Sequence, residues 1–349
     1  MSKSAYSITI DGAPVTSNFA PVLISLTITD SEGGKSDTLE IELDDSDGQI
    51  AFPRSGADIE ARLWWIDPPP GTPPGAVVFK GKTDEPTSDG TRGGGMTLTI
   101  NAKSADPKGK AKNKEEKHKD SATFGDVAKE WGQAAGLNIK VDSELAAIKR
   151  DWWGMANESY LQWGSRIAAE FGATFKIQDG QGVFVARNSG KSASGQDLPA
   201  VTATRGVNLI SWSLSPVQGA TQFKAAKVRW YDRAEAKFRT ETVEIKGVEA
   251  DADLTETLKA GDKGRAATRA KANSEDSKSE KGGGDVTLDG NPLARSRAPL
   301  IVAGARPGVD GPYRIKTATH TYKRDSGWTT KCSVEQPDGK TGADSRKKS

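Results

Sequence analysis

Short segments in which apolar and polar residues alternate recur along this chain, and they constrain its fold more than any other feature. A period of two places one face of a β-strand on a core and the other in water or against a partner. In the first hundred residues this alternation covers 22–29, 38–44, 58–65 and 96–102. Turn-forming sequences separate these runs, at 32–34, 47–48, 53–56 and 89–90. Such spacing predicts an antiparallel barrel or sandwich.

The last third of the chain shows the same alternation. Strands are predicted around 210–214, 228–230, 243–245, 318–322 and 328–334. The pattern stops between 250 and 284, where Ala, Lys, Asp and Glu dominate and three glycines follow. This stretch has no strong apolar stripe, so we predict a polar helix with a flexible exit that packs on a neighbour or remains mobile.

Two helices are predicted between these β-regions. Thr123 and Asp126 have the spacing of a capping box, with Asp in place of the usual Glu or Gln, and Gly136 is placed to end the first helix. The second helix begins near Asn157 or Ser159. Gly172 ends it, and a hairpin of 174–177 and 183–185 follows. The outline is therefore a β-region, an α+β insert and a second β-region.

Three polar stretches interrupt this outline. The proline-rich segment 67–75 predicts a stiff, exposed loop, and the lysine-rich segment 107–119 predicts a linker or an exposed edge segment. The Ser-, Gly- and Lys-rich segment 189–194 is a predicted boundary, and the last dozen residues, 338–349, are predicted to be disordered.

Charge and cysteine content exclude several classes of protein. The 349 residues include 49 Lys and Arg against 47 Asp and Glu, and a net charge of +2 gives no general attraction to nucleic acid or to an anionic membrane. Cys332 is the single cysteine, so no internal disulfide framework is possible. The sequence contains no apolar run typical of a signal peptide or a membrane anchor, which predicts folding in the cytoplasm.

The sequence offers no combination of residues typical of catalysis, metal binding or cofactor binding. His118 is predicted to be solvated and His320 to be structural, because no nucleophile or metal-ligand spacing accompanies either. The acidic turn 44–48 fails the calcium-loop template, and the segment 185–192 lacks the first glycine of a phosphate-binding loop. We therefore predict no catalytic, cofactor-binding or metal-binding residues, no cofactor and no enzymatic activity.

The order of several segments over 5–335 resembles that of a known family. The segments that carry the resemblance are 37–45, 78–83 with 96–102, 123–127 with 136–137, 157–161 with 171–173, and 318–322 with 327–330. They resemble the late control protein D family, the baseplate hub proteins of contractile phage tails, and the similar N-terminal hub part of VgrG proteins. The segments 150–155 and 250–284 depart from the pattern of that family.

This resemblance implies a structural role with defined partners. It implies a homotrimer in which each subunit has two tube-like antiparallel β-barrel domains flanking a helix-helix-hairpin domain. The trimer adapts a hexameric tail tube, or its tube-initiator protein, to a separate trimeric spike protein. Other baseplate proteins and the tape-measure protein are further candidate partners, and no specific nucleic acid is expected. The expected location is the tail baseplate of the virion, after assembly in the host cytoplasm.

Within this scheme the chain divides into four parts. The predicted domains are a first barrel at 1–106, a linker and α+β insert at 107–190, a second barrel at 191–336 with a polar insertion near 250–284, and a disordered tail at 337–349.

Two alternatives remain open at this point. One is a distal tail or adaptor protein of another tail type, and the other is a tail-associated cell-wall hydrolase.

Overall fold

The fold of the computed structural model is mostly β, as predicted. The structure describes residues 2–33, 36–106, 109–178, 180–187, 190–191, 196–216, 222–247 and 250–336. The predicted disordered tail and most of the predicted boundary at 189–194 lie outside these residues.

In the first β-region the described residues form eight strands and one short helix, and the alternating runs predicted from the sequence all form strands. The strands are β1 (Lys3–Ile10), β2 (Ala13–Pro14), β3 (Leu23–Ser31), β4 (Thr38–Asp44), β5 (Asp58–Asp67), β6 (Ala76–Thr83), β7 (Thr87–Thr91) and β8 (Gly95–Lys103). The helix α1 (Thr16–Phe19) is a single turn between β2 and β3. The proline-rich segment forms the loop between β5 and β6, as predicted.

The insert has the predicted helices and hairpin, and it also contains strands that the sequence did not predict. Its elements are a 3₁₀ turn (Lys110–Lys112), β9 (Lys114–Thr123), α2 (Phe124–Ala134), β10 (Asn138–Val141), α3 (Ser143–Ala146), β11 (Lys149–Ser159), α4 (Tyr160–Glu170), β12 (Ala173–Gln178) and β13 (Gln181–Ala186). Gly136 and Gly172 have φ values of 80° and 61°, so both residues end their helices in the left-handed conformation, as predicted.

The lysine-rich segment forms most of strand β9. Among the strands that the structure describes, this strand pairs only with β11, in an antiparallel ribbon of two strands. The predicted exposed edge is confirmed, and the linker interpretation is wrong for 114–119. Exposed and half-buried positions alternate along 114–119, because one face of the ribbon is solvated while Trp153 and Met155 of β11 on the other face join the core of the insert.

The remaining elements form the second β-region and a small layered unit. They are β14 (Val201–Thr204), β15 (Leu209–Ser215), β16 (Ala225–Asp232), β17 (Lys237–Glu244), β18 (Asp253–Thr255), α5 (Lys263–Ser279), β19 (Gly283–Asp289), β20 (Pro299–Ala303), β21 (Gly311–Lys323) and β22 (Gly327–Glu335). The predicted polar helix is α5, which packs on the sheet β17-β16-β18 through Ala266 and Ala270. The predicted flexible exit is wrong, because Gly283 and Gly284 begin β19 and pair with Glu335 and Val334.

Strands of both β-regions join one 14-stranded sheet. Strand β21 causes this, because Pro299 to Val302 pair with its first residues and β3 pairs with Thr317 to Lys323. The sheet curls so that the rings of Tyr6 and Tyr322 lie 4.9 Å apart. Among the described strands, no ladder closes the sheet into the predicted separate barrels, so the barrel domains and their boundaries stay a prediction.

The described residues form four apolar cores. One fills the first β-region and includes Trp328, a second fills the last β-region, and a small one lies between α5 and β16. The largest belongs to the insert, where Phe124, Trp153, Trp163 and Phe184 are completely buried. Burial of one such side chain stabilises the folded state by about 1.5–3 kcal/mol. The insert therefore has a hydrophobic core of its own.

Candidate functional site

A set of buried charges lies where the insert meets both β-regions. Strand β12 determines one of them, because its alternation directs Phe175 into the core of the insert and Lys176 to the opposite side. The Lys176 Nζ lies 2.5 Å from Asp30 Oδ1 at the end of β3 and 2.9 Å from Asp37 Oδ1 before β4. Ser296, from the loop before β20, also donates to Asp30. One ammonium group therefore joins three parts of the chain.

Burial and mutual attraction determine the charge state of this group. Burial by itself lowers the pKa of Lys176, but Asp30 and Asp37 outweigh it and raise that pKa, so the ammonium stays charged. The pKa of Asp37 rises to about 6 because of burial and the nearby charge of Asp30. The pKa of Asp30 is lowered by Lys176 despite its burial. A cavity of about 420 Å³ adjoins these side chains.

Arg314 forms a second charged cluster at the same junction. Its side chain is 5% exposed, and its Nη1 lies 2.6 Å from Glu32 Oε2, while Nη2 donates to Glu335. Glu32 in turn accepts a hydrogen bond of 2.8 Å from Thr174 Oγ1 on β12. Arg187, at the end of the insert, pairs with Asp276 on α5. These contacts join β3, β12, β21, β22 and α5.

A third cluster surrounds Glu170 at the end of α4. Its carboxylate is almost completely buried and lies 2.7 Å from Arg150, 3.1 Å from Arg265 and 3.8 Å from Arg269. The Arg150 guanidinium also lies 4.8 Å from the centre of the Phe171 ring. Burial raises the pKa of Glu170, but the three arginines outweigh it and lower that pKa. The cluster fixes α5 against the insert.

Together the three clusters fix the four cores relative to one another, and we call them the charged junction. Breaking a buried pair by removal of one partner costs about 3–5 kcal/mol, so these contacts resist rearrangement. The sequence analysis singled out none of them as functional. The sequence contains one indication of the buried cluster at Lys176. A lysine between Phe175 and Ile177 in a predicted strand must either face solvent or pair with buried acids.

The two histidines differ in solvent exposure and in hydrogen bonding. His118 is exposed on β9, in agreement with its predicted solvation. His320 is 1% exposed, and its Nδ1 and Nε2 lie 3.0 Å from Thr330 Oγ1 and from the Ala294 carbonyl oxygen, respectively. Burial lowers the pKa of His320 to about 4, so the ring is neutral at pH 7 and links β21, β22 and the loop before β20. Its predicted structural role fits this geometry.

The acidic turn uses its carboxylates locally. Asp44, Asp45 and Asp47 accept backbone hydrogen bonds from Ser46, Ile50 and Gln49, which is typical of an Asx-type turn. Within the described ranges, no group of three or more His, Cys, Asp or Glu side chains is arranged to hold a metal ion. The expected lack of catalytic, metal-binding and cofactor-binding residues stays a prediction.

No helix in the described part of the chain is long and apolar enough to span a membrane.

Comparison with curated proteins identifies two relatives. The chain is 33% identical over 203 residues to a probable baseplate hub protein of Escherichia phage 186, and 32% identical over 202 residues to one of Escherichia phage P2. These matches cover 58% and 57% of this chain. They cover 50% of each relative, so the chain spans about half the length of the curated relatives it matches. No protein-family profile matches the chain.

Solved structures share the fold over nearly the whole chain. The 43 kDa tail protein of prophage MuSo2 from Shewanella oneidensis aligns over 97% of this chain and 99% of its own, with a TM-score of 0.70 and 15% identity. A tail protein of Neisseria meningitidis aligns over 95% and 96%, with a TM-score of 0.67 and 14% identity. An E. coli type VI secretion component aligns over 99% and 79%, with a TM-score of 0.55 and 11% identity. The predicted resemblance to baseplate hub proteins is confirmed.

Proposed function

We propose that this chain is the baseplate hub of a contractile phage tail or of a phage-derived device. The observation that carries the proposal is the 33% identity over 203 residues to a probable baseplate hub protein. The fold shared with phage tail proteins over almost the complete chain supports it. The role is structural, located in the tail baseplate of the virion, and it requires no catalytic step.

The proposed assembly is a homotrimer in which each subunit contributes two β-regions to a ring of six. Such a ring matches a sixfold tail tube on one side and a threefold spike protein on the other. Closed cyclic assembly would also cover the free strand edges of the curled sheet. The tube or its initiator, the spike and other baseplate proteins are the proposed partners.

The charged junction suits this role because a ring of six similar positions requires a fixed relation between the two β-regions. If that relation varied, three subunits could not present six equivalent surfaces to the tube. The fixation comes from Lys176 and Arg314, which connect β-strands of both regions through the insert.

Mass measurement of the complete protein, alone and with the products of its neighbouring tail genes, tests the proposal. We expect three chains per particle, and a complex with the tail-tube or spike protein that retains this stoichiometry. A stable monomer that binds neither protein would overturn the proposed function.

A further inference from the structure

An open groove of about 920 Å³ separates the β9–β11 ribbon from the β16–β17 hairpin and the start of α5. Two large aromatic side chains face solvent along it, since Trp152 is 51% exposed and Tyr231 is 41% exposed. Phe238, 47% exposed, packs edge-on against Tyr231 with ring centres 5.2 Å apart. We call this surface the aromatic groove. Exposed Trp and Tyr side chains of this size are common at the centres of protein interfaces.

The Trp152 ring packs on the backbone of its own strand. A Cβ atom on Gly154 would lie 2.0 Å from Cη2 of the Trp152 ring, so the ring lies directly on the bare glycine backbone of β11. Residues 152 and 154 share one face of the strand, and only glycine leaves room for the ring. An exposed aromatic side chain that is already ordered loses little conformational entropy when a partner covers it.

Two cations without acidic partners among the described residues lie over the Phe238 ring, and two more line the groove. Lys259 Nζ lies 4.2 Å from the centre of the Phe238 ring, and Arg229 Cζ lies 5.2 Å from it. Lys149 and Arg233 line the aromatic groove, and no carboxylate of the described residues forms an ion pair with either.

The other charged groups of the groove already have local roles. Arg150 and Arg265 pair with the buried Glu170, and Asp262 accepts the Arg265 backbone N–H as the cap of α5. Asp151 is the remaining carboxylate of the lining. The aromatic groove therefore has a surplus of positive charge and would fit an acidic surface.

The same chain has such a surface in its first β-region. Asp44 on β4 and Asp89 on β7 both stand opposite Thr97 of β8, so the two carboxylates flank it on one face of the sheet. Asp47 is exposed on the adjoining turn. Met96 lies beside that turn but on the opposite face of β8 from Thr97, so the surface is formed by carboxylates. Hydrogen bonds from Ser46 lower the pKa of Asp44, so the carboxylate stays ionised. We call this surface the acidic patch.

We propose that the aromatic groove of one subunit binds the acidic patch of a second copy of this chain. A cyclic trimer requires two different, complementary surfaces on each subunit, because its contacts are head-to-tail. The aromatic groove and the acidic patch meet this requirement in charge. This inference rests on the proposed function, because it assigns the contact that would close the trimer.

Charge reversal tests the inference on the complete protein. The first variant combines Lys149→Glu with Arg233→Glu, the second combines Asp47→Lys with Asp89→Lys, and the third carries all four changes. We expect each of the first two to dissociate at concentrations at least tenfold higher than the wild type, and the third to recover trimers. Native mass measurement over a dilution series gives the stoichiometry, and circular dichroism verifies folding.

A matched control reverses two lysines outside the groove, Lys129→Glu and Lys140→Glu, and should leave the trimer unchanged. Trimers that persist equally in all variants would overturn the inference while leaving the proposed function standing. Variants that keep the trimer but no longer bind tube or spike protein would also overturn the inference, since the groove would then bind a different partner. A monomeric wild type that binds neither the tube protein nor the spike protein would overturn both the inference and the proposed function.

Trp152→Ala gives an independent measurement that involves no charge change. Because about half of the ring packs on β11, its removal should lower the unfolding midpoint slightly, but it should weaken the trimer at least tenfold under conditions in which circular dichroism shows folded protein. Ile66→Ala removes an apolar side chain of similar exposure, 59%, from outside the groove and serves as the control. An unchanged trimer dissociation constant for Trp152→Ala would contradict the inference.

Discussion

Individual buried residues at the centre of this molecule carry its pH dependence. His320 is neutral in the folded protein because burial lowers its pKa to about 4, whereas an unfolded histidine has a pKa of about 6.5. Between these values the unfolded chain binds more protons than the folded one, so the free energy of unfolding falls as the pH drops from about 6.5 to about 4. Asp37 has the opposite effect, because its pKa is raised to about 6.

His320→Gln separates these two contributions. The wild type should lose roughly 3 kcal/mol more than the variant between pH 7 and pH 4, because only the wild type has this histidine to protonate. Urea unfolding at both pH values measures this difference. The contribution of Asp37 to the pH dependence is the same in both proteins and cancels in the comparison. The variant will be less stable at pH 7, since its amide cannot reproduce both histidine contacts. An equal pH dependence in the two proteins would show that His320 does not control it.

At the scale of elements, local sequence explains the helices of the insert well. Ser159 accepts a hydrogen bond from the Gln162 backbone N–H, and the Gln162 side chain accepts one from the Ser159 backbone N–H, which makes a full capping box. Thr123 caps α2 through the backbone N–H of Asp126, as its spacing predicted. Strand β11 was missed because 149–159 contains no regular alternation, and its pairing with β9 decides its conformation.

Ser159→Ala should lower the free energy of unfolding by about 1 kcal/mol, because it leaves an N-terminal amide of α4 without its acceptor. Ser165→Ala, in the same helix, removes a hydroxyl that only bonds back to the Leu161 carbonyl oxygen, and it should change stability by less than about 0.5 kcal/mol. Equilibrium urea unfolding compares the two. Equal effects would indicate that the cap does not stabilise α4.

At the scale of the whole molecule, buried ion pairs connect regions distant in sequence. Glu32 and Arg314 are 282 residues apart, and Thr174 lies between them in the sequence and at the same contact in space. Arg314→Leu should destabilise the protein by about 3–5 kcal/mol, because Glu32 would stay buried without its cation and Glu335 would keep only the half-exposed Lys316, 3.3 Å away. Hydrogen exchange should rise first in β12 and at the end of β3.

Lys331→Leu is the matched control for this prediction. Lys331 forms an exposed pair with Asp285 at 3.0 Å, with the two side chains 56% and 45% exposed, and such pairs contribute less than about 1 kcal/mol. If both variants lost similar stability, the charged junction would not be what fixes the β-regions. An increase in hydrogen exchange that is confined to β21 would also contradict the proposed role of the charged junction.

The sequence by itself determined the order of β-region, insert and β-region, the two capped helices, their glycine ends and the hairpin that follows. These features depend on residues close in sequence, so a period of two, a cap or a turn suffices to predict them. Order and spacing of short segments also carried the resemblance to hub proteins.

Only the tertiary structure decided which polar residues are buried together. Asp30 and Asp37 look like ordinary surface residues of turns, and the strand pattern leaves Lys176 either solvated or paired with buried acids. Which of these applies depends on the strands that long-range pairing brings together. Long-range pairing also decides that β21 is shared between the two β-regions. A residue pattern reports which face of a strand is apolar, but the neighbour that covers it is chosen by the packing of the complete chain.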